Sequence, residues 1–418
     1  MKKILAMILA LCMVLALCAC SQSSESTPAE ESAPAAEAAP AEQSAPAEES
    51  APAEEAAQTD VIRLGGLAPL TGNYAEYGKG FKYAWEKTIQ EINDAGGING
   101  HMLAIEVKDS QGDAVVSSTL ATEFAEDEGI YAILGDFTST CCLANTEIID
   151  RYGITQLSPT CSSPLFCPGS EYNFSINGVT DVEGMFGAKY IVGEYMGAKS
   201  VGIIRVDSDW GAATCEKFVE QCGREGIEVV AEEKYRSDEQ DYSAIITKVK
   251  AQNPEVLVIL DQGTAVSAIC NACDAIDWDI ARCNIGASTS QQVAEQLAEK
   301  GNLLTTSPFF LDPDNDVLMK WQDEFVEAMG FPPTCHPVYA HDTVMLIAQA
   351  LEKIGDGEVT RQAIRDALDG AVLEDGYSGK IVFNEDGSIT RRMYYICGVN
   401  AEGEWVIEQI VNFDPADF

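Results

Sequence analysis

A run of small polar residues, Gly135-Asp136-Phe137-Thr138-Ser139-Thr140, closes the apolar segment Tyr131-Ala132-Ile133-Leu134 and opens a helical pattern. The first turn of a helix has N–H groups without intrahelical acceptors and the positive end of the helix dipole. With the Ser139 and Thr140 hydroxyls beside it, such a turn suits a carboxylate. The same residues also serve as ordinary helix caps, and local chemistry alone favours capping. Asp261 ends the apolar run Val256–Leu260, where it either pairs with a cation or caps the next helix. Two aromatic residues, Tyr77 and Trp210, stand in polar, glycine-bearing loops rather than in apolar runs. In such places an aromatic side chain is better explained as the wall of a site than as core.

Other chemistry finds less support. His101, His336 and His341 form no metal-spaced pair. Cys270 and Cys273 lie three apart with Cys283 beyond, but no second paired motif completes a zinc site. No phosphate-binding loop, nucleophile elbow or dinucleotide fingerprint occurs, so neither an enzyme nor a cofactor is expected. Of fourteen cysteines, eleven fall after residue 60, an odd number that includes the adjacent Cys141 and Cys142. They form no regular disulfide framework and read mostly as small buried apolar residues.

The candidate residues need elements to carry them. From Val61 onward, β-branched runs alternate with helical patterns. Strands are expected at 61–67, 104–107, 131–134, 200–206, 227–232, 256–260 and 282–286. Helices are expected at 79–94, 113–127, 139–151, 182–196, 211–224, 242–251 and 264–276. Such alternation implies right-handed βαβ units and parallel sheets covered on both faces. Ligands then bind at loops beyond the carboxyl ends of strands. The 358 residues from 61 to 418 suit two lobes better than one core.

The N-terminus reads as export. Lys2-Lys3, an apolar run from Ile4 to Leu17, and Cys18-Ala19-Cys20 describe a signal peptide over 1–19. Leu17-Cys18-Ala19-Cys20 resembles a lipobox with acylation at Cys20, although Cys18 is an unusual occupant of its place. Residues 20–60 repeat Ser-Ala-Pro-Ala-Glu-Glu without an aromatic residue, Lys or Arg, and so read as a disordered acidic tether. A flexible chain of that length spans about 35 Å. The formal charge of −41 argues against nucleic acid as a partner.

A specific resemblance joins these pieces. It runs through Pro69-Leu70-Thr71-Gly72, Tyr77-Gly78, Ile92-Asn93 with Gly96-Gly97-Ile98-Asn99-Gly100, Lys108-Asp109, Gly135, Ser139, Ser158-Pro159 and the 339–351 helix. By these the chain resembles the leucine/isoleucine/valine-binding protein family, type I periplasmic solute-binding proteins of ABC importers. The resemblance implies an α/β fold of two Rossmann-like lobes with parallel central sheets, joined by a three-segment hinge. Lobe 1 is expected over 61–177 and 308–384, and lobe 2 over 178–307 and 385–418. Crossings are expected near Asn177-Gly178, Ser307–Asp312 and Asn384–Gly387.

It further implies a carboxylate-binding role for Ser139, with Thr140 beside it, a backbone contact at Thr160 and a hydroxyl contact at Ser162. Tyr77 and Trp210 match aromatic residues beside the family's ligand. The acidic residue that holds the ligand's amino group in the family has no counterpart, its place being taken by Ser288, and Asp261 is the candidate replacement. The implied function is an extracellular, lipid-anchored substrate-binding protein. Its ligand would be a branched-chain amino acid or related small carboxylate, and its partners the ABC permease subunits and the membrane. The alternative is a sensor that presents its closed form to a membrane receptor.

Overall fold

The computed structural model describes residues 60–418, apart from 287–288, 298–301 and 312–313. The expected leader, Cys20, the tether, Ser288 and Asp312 lie outside the described residues. No helix among the described residues is long and apolar enough to cross a membrane.

The chain begins with β1 (Asp60–Ala68), α1 (Ala75–Asp94), β2 (His101–Asp109), α2 (Ala114–Glu126) and β3 (Ile130–Leu134). It continues with α3 (Ser139–Tyr152), β4 (Thr155–Ser158), the short α4 (Phe166–Gly169) and β5 (Asn173–Ser175). These strands form a parallel sheet in the order β2-β1-β3-β4-β5.

Next come α5 (Thr180–Phe186), which runs on as π-helix over Gly187–Tyr195, then β6 (Ser200–Val206) and α6 (Asp209–Glu225). After these stand β7 (Glu228–Tyr235), α7 (Ser243–Lys250), β8 (Val256–Leu260), α8 (Thr264–Asp274), β9 (Ala281–Ile285), α9 (Gln291–Gln296) and β10 (Leu304–Ser307). The chain then returns through α10 (Asp316–Met329), α11 (Cys335–Ile354) and α12 (Arg361–Leu368), whose apolar faces join the core of the first sheet. A two-stranded ribbon, β11 (Val372–Leu373) with β12 (Ile381–Val382), precedes β13 (Met393–Val399) and β14 (Trp405–Asn412).

The second sheet has the order β14-β13-β10-β9-β8-β6-β7. Its β6–β10 strands pair in parallel, as the alternation predicts, whereas β13 and β14 add an antiparallel edge that it does not predict. The cause is local: Asn400–Gly403 forms a tight turn, and a turn of that length joins only antiparallel neighbours. β8 reads Val-Leu-Val-Ile-Leu and is buried at every position, as expected of a central parallel strand covered on both faces. Each sheet has its own apolar core, and all eleven described cysteines are buried and unpaired by disulfide.

Register places the loops. Ala68 aligns with Asp109, and Gly66 with Leu134, so the loops after β1, β2 and β3 leave the first sheet side by side. In the second sheet Val206 aligns with Tyr235, and Arg205 with Leu260, which gathers the loops after β6, β7 and β8. The chain passes between the sheets after Ser175, after Ser307 and between Val382 and Met393. Arg391 ties two of these passages together: its guanidinium donates to the carbonyls of Ile176 (2.8 Å) and Asn177 (2.9 Å) and lies 4.7 Å over the Tyr339 ring.

Candidate ligand-binding cleft

A cavity of about 90 Å³ lies between the two sets of strand-end loops. From the first sheet it is lined by Tyr74, Phe137, Thr138, Ser139, Thr140 and Thr160. From the second it is lined by Asp207, Ser208, Trp210, Ser237, Asp261 and Gln262.

The α3 end of the cavity is built from below. Asp136 is fully buried and accepts hydrogen bonds from Ser110 Oγ (3.0 Å), Ser117 Oγ (2.8 Å) and the Phe137 N–H (2.5 Å). Burial raises its pKa, and these bonds only partly offset the shift. The loop is thus anchored to β2 and α2, and Phe137 is turned to stack on Tyr77 at 4.9 Å. Thr138 caps α3 by accepting from the Cys141 N–H at 3.2 Å. The cap is therefore neither Ser139 nor Thr140, whose N–H groups face the cavity end of the helix without intrahelical acceptors. Thr140 Oγ1 instead accepts from the Asp209 N–H of the other lobe, at 3.2 Å.

The opposite wall centres on Asp261, which is 3% exposed. Its oxygens accept from Tyr74 OH (3.3 Å), the Gln262 N–H (2.6 Å) and Tyr235 OH. Burial lifts its pKa to about 6 against the pull of those donors. Asp261 does not cap α8, whose N-cap is Gly263, with no side-chain cap. Trp210 closes one side.

The expected residues separate into two groups. Ser139, Thr140, Thr160, Trp210 and Asp261 line one cavity. The Thr160 hydroxyl is engaged, however, donating to the Phe137 carbonyl at 2.8 Å. Tyr77 stands behind Phe137, 2% exposed, and its hydroxyl accepts from the Gly263 N–H at 3.3 Å. Ser162 faces a second, smaller cavity toward the crossing strands. Sequence reasoning passed over Tyr74, Phe137, Ser208, Gln262 and Glu183. Tyr74 is the residue before α1, whose first turn carries Tyr77, so Tyr77 stands on a helix and not in the expected loop. The polar setting of Tyr74 was as informative. Glu183 lies inside a helix, where nothing in the sequence separates it from a solvated acid.

The lobes meet through several bonds across the cleft. Besides Tyr74–Asp261 and Thr140–Asp209, Asn73 Nδ2 donates to the Ser237 carbonyl at 3.0 Å and the Gln292 N–H donates to Glu76 at 3.3 Å. This is a closed arrangement of two lobes around a small polar space.

The sequence pattern of the periplasmic binding protein family matches residues 61–404. The chain belongs to that family, within the type I group that includes the Leu/Ile/Val-binding proteins. Among relatives, the Leu/Ile/Val-binding protein homolog 1 of Brucella suis is 28% identical over 306 residues, covering 69% of this chain and 78% of its own. Among solved structures, a branched-chain amino acid transporter substrate-binding protein of Streptococcus pneumoniae, in complex with isoleucine, superposes with a TM-score of 0.76. It is 21% identical and is matched over 85% of this chain and 100% of its own. A solute-binding protein of R. palustris in complex with benzoate also has a TM-score of 0.76, at 17% identity, over 85% and 98%. These two structures establish likeness of fold. The described residues contain no group of three or more His, Cys, Asp or Glu able to hold a metal ion.

Proposed function

We propose that this periplasmic binding protein is the extracellular substrate-binding component of an ABC importer, closing on a small amino acid or related small carboxylate. The observation that carries the reading is the placement of the α3 N-terminus and Asp261 on opposite walls of one interlobe cavity. A ligand carboxylate docks at the N–H groups and hydroxyls of Ser139 and Thr140, where helix dipole and donors favour negative charge. Thr160 and Ser162 supply further polar contacts from the same lobe, Tyr77 backs the aromatic wall, and Trp210 covers the ligand from the other lobe. Asp261 takes an ammonium, which replaces neutral donors by a charge-assisted bond. Closure follows because only the closed form makes the second-lobe contacts. The ligands named for the two solved structures, isoleucine and benzoate, share a carboxylate and little else. That supports carboxylate recognition as the common element.

In this reading Cys20 carries the lipid anchor, residues 20–60 hold the lobes off the membrane, and the permease subunits receive the ligand. A sensor that offers the closed form to a membrane receptor uses the same cleft. Thermal-shift screening against amino acids, benzoates and other small carboxylates tests the proposal. Stabilisation by at least one amino acid is expected, and silence across all of them contradicts it.

A further inference from the structure

A second cavity, of about 10 Å³, lies next to the main one on the side of the crossing strands, and Gln262 lines both. Space of that size accommodates about one water-sized group. Its walls include Ser162, Asn177, Glu183, His336 and Tyr394. Two of these carry unspent hydrogen-bonding capacity. Ser162 Oγ is buried without a hydrogen-bond partner, although the Ser162 carbonyl accepts from the Thr180 N–H at 2.7 Å and so holds the residue against α5. Glu183, 6% exposed on α5, meets a neutral donor, the Thr306 hydroxyl at 3.2 Å. Asn177 Nδ2 is committed to the Thr160 carbonyl and His336 Nδ1 to Thr334.

A carboxylate offers about four acceptor sites, and leaving a buried polar group unmatched is costly. Burial raises the pKa of Glu183 to about 7, consistent with an acid lacking its counter-charge.

Resting on the amino-acid reading above, we propose that this inner cavity is the side-chain subsite. It selects amino acids whose side chain presents a single hydroxyl or ammonium between Ser162 and Glu183. A methyl group in that place leaves both polar groups desolvated and unmatched, whereas a donor satisfies them. The subsite thus favours small polar amino acids over branched aliphatic ones of equal size.

Valine, threonine and 2,3-diaminobutyrate share one skeleton with a methyl, hydroxyl or ammonium group at the same place. Titration calorimetry of the full-length protein with these three is the test. Threonine or 2,3-diaminobutyrate is expected to bind at least about ten-fold tighter than valine. Glu183→Gln and Ser162→Ala are each expected to reduce that ratio below about three-fold. Valine binding as tightly as both analogues, or a ratio unchanged in both variants, overturns the assignment. If valine is preferred and its binding depends on Ser139, the amino-acid reading stands and only the subsite falls. If none of the three binds and no other amino acid does, both fall.

Discussion

Tyr74 on the first lobe donates a hydrogen bond across the cleft to Asp261 on the second, at 3.3 Å. Asp261 is held from its own side by Tyr235 and the Gln262 N–H, so the acid is a junction between lobes as well as a wall of the cavity. Tyr74→Phe keeps the ring against Phe137 and removes only the bond. Ligand binding is expected to weaken about three- to ten-fold, the scale of one net hydrogen bond. Calorimetry on the purified variant checks this; unchanged affinity means that the bond contributes nothing to closure.

Gly263 offers a steric test of closure. Its backbone has φ +68° and ψ −155°, and a Cβ there would stand 2.8 Å from the Asn73 carbonyl of the opposite lobe. Gly263→Ala is expected to lower ligand affinity more than about ten-fold and to cost about 1–3 kcal/mol of stability from backbone strain. Gly226 is the control, since it also has positive φ but nothing within 4 Å of an added Cβ. Gly226→Ala should lose about 1 kcal/mol of stability and keep ligand affinity. Small-angle scattering with saturating ligand should show the Gly263 variant more open than the wild type.

Asp136 shapes the α3 loop without facing the cavity. Asp136→Ala leaves the buried Ser110 hydroxyl without its acceptor and Ser117 with only the longer bond to Asn145 Oδ1, at 3.3 Å. A loss of about 2–4 kcal/mol is expected in denaturant unfolding. A loss below about 0.5 kcal/mol contradicts this account of the loop.

How much of this was legible beforehand follows the physics of each part. The parallel βαβ core was readable because strands such as Val256–Leu260 are continuous apolar runs between helical periods. The β13–β14 edge was not, since β14 is exposed at most positions and leaves a weak pattern, and β13, buried at most positions, has no local signal of its antiparallel direction. The helix start at Ser139 was readable, but which residue caps it was not: Thr138, Ser139 and Thr140 are chemically interchangeable, and only backbone geometry chooses among them. Glu183 was invisible because burial of an acid depends on tertiary packing, which no local pattern records.

Three acids at the cleft give a pH dependence of definite sign. Burial raises Glu76 and Glu183 to about 7 and Asp261 to about 6. Free carboxyls titrate near 4, so the folded, closed form binds these protons more tightly than the unfolded chain. Their contribution is fully present below about pH 4 and lost as pH rises through 6 to 7. His336 acts the other way: burial holds its imidazole down to about 3, so its contribution grows as pH rises through the free value near 6.5. One histidine does not outweigh three acids, and the melting temperature should therefore fall between pH 5 and pH 8. Glu76, which faces the Gln292 N–H, Ser290, Glu295 and Lys79, isolates the effect. Glu76→Gln should have a shallower fall over the same range. A wild-type melting temperature that rises from pH 5 to pH 8 contradicts the assignment.

The central claim is that an amino acid is held by its carboxylate at the start of α3. Titration calorimetry of wild type and Ser139→Ala, with the amino acid that stabilises the wild type most, tests it most directly. The account predicts a loss of about ten- to hundred-fold in affinity on removing one hydroxyl bonded to a charged group. Full wild-type affinity in Ser139→Ala, with the fold intact by melting temperature, would contradict it.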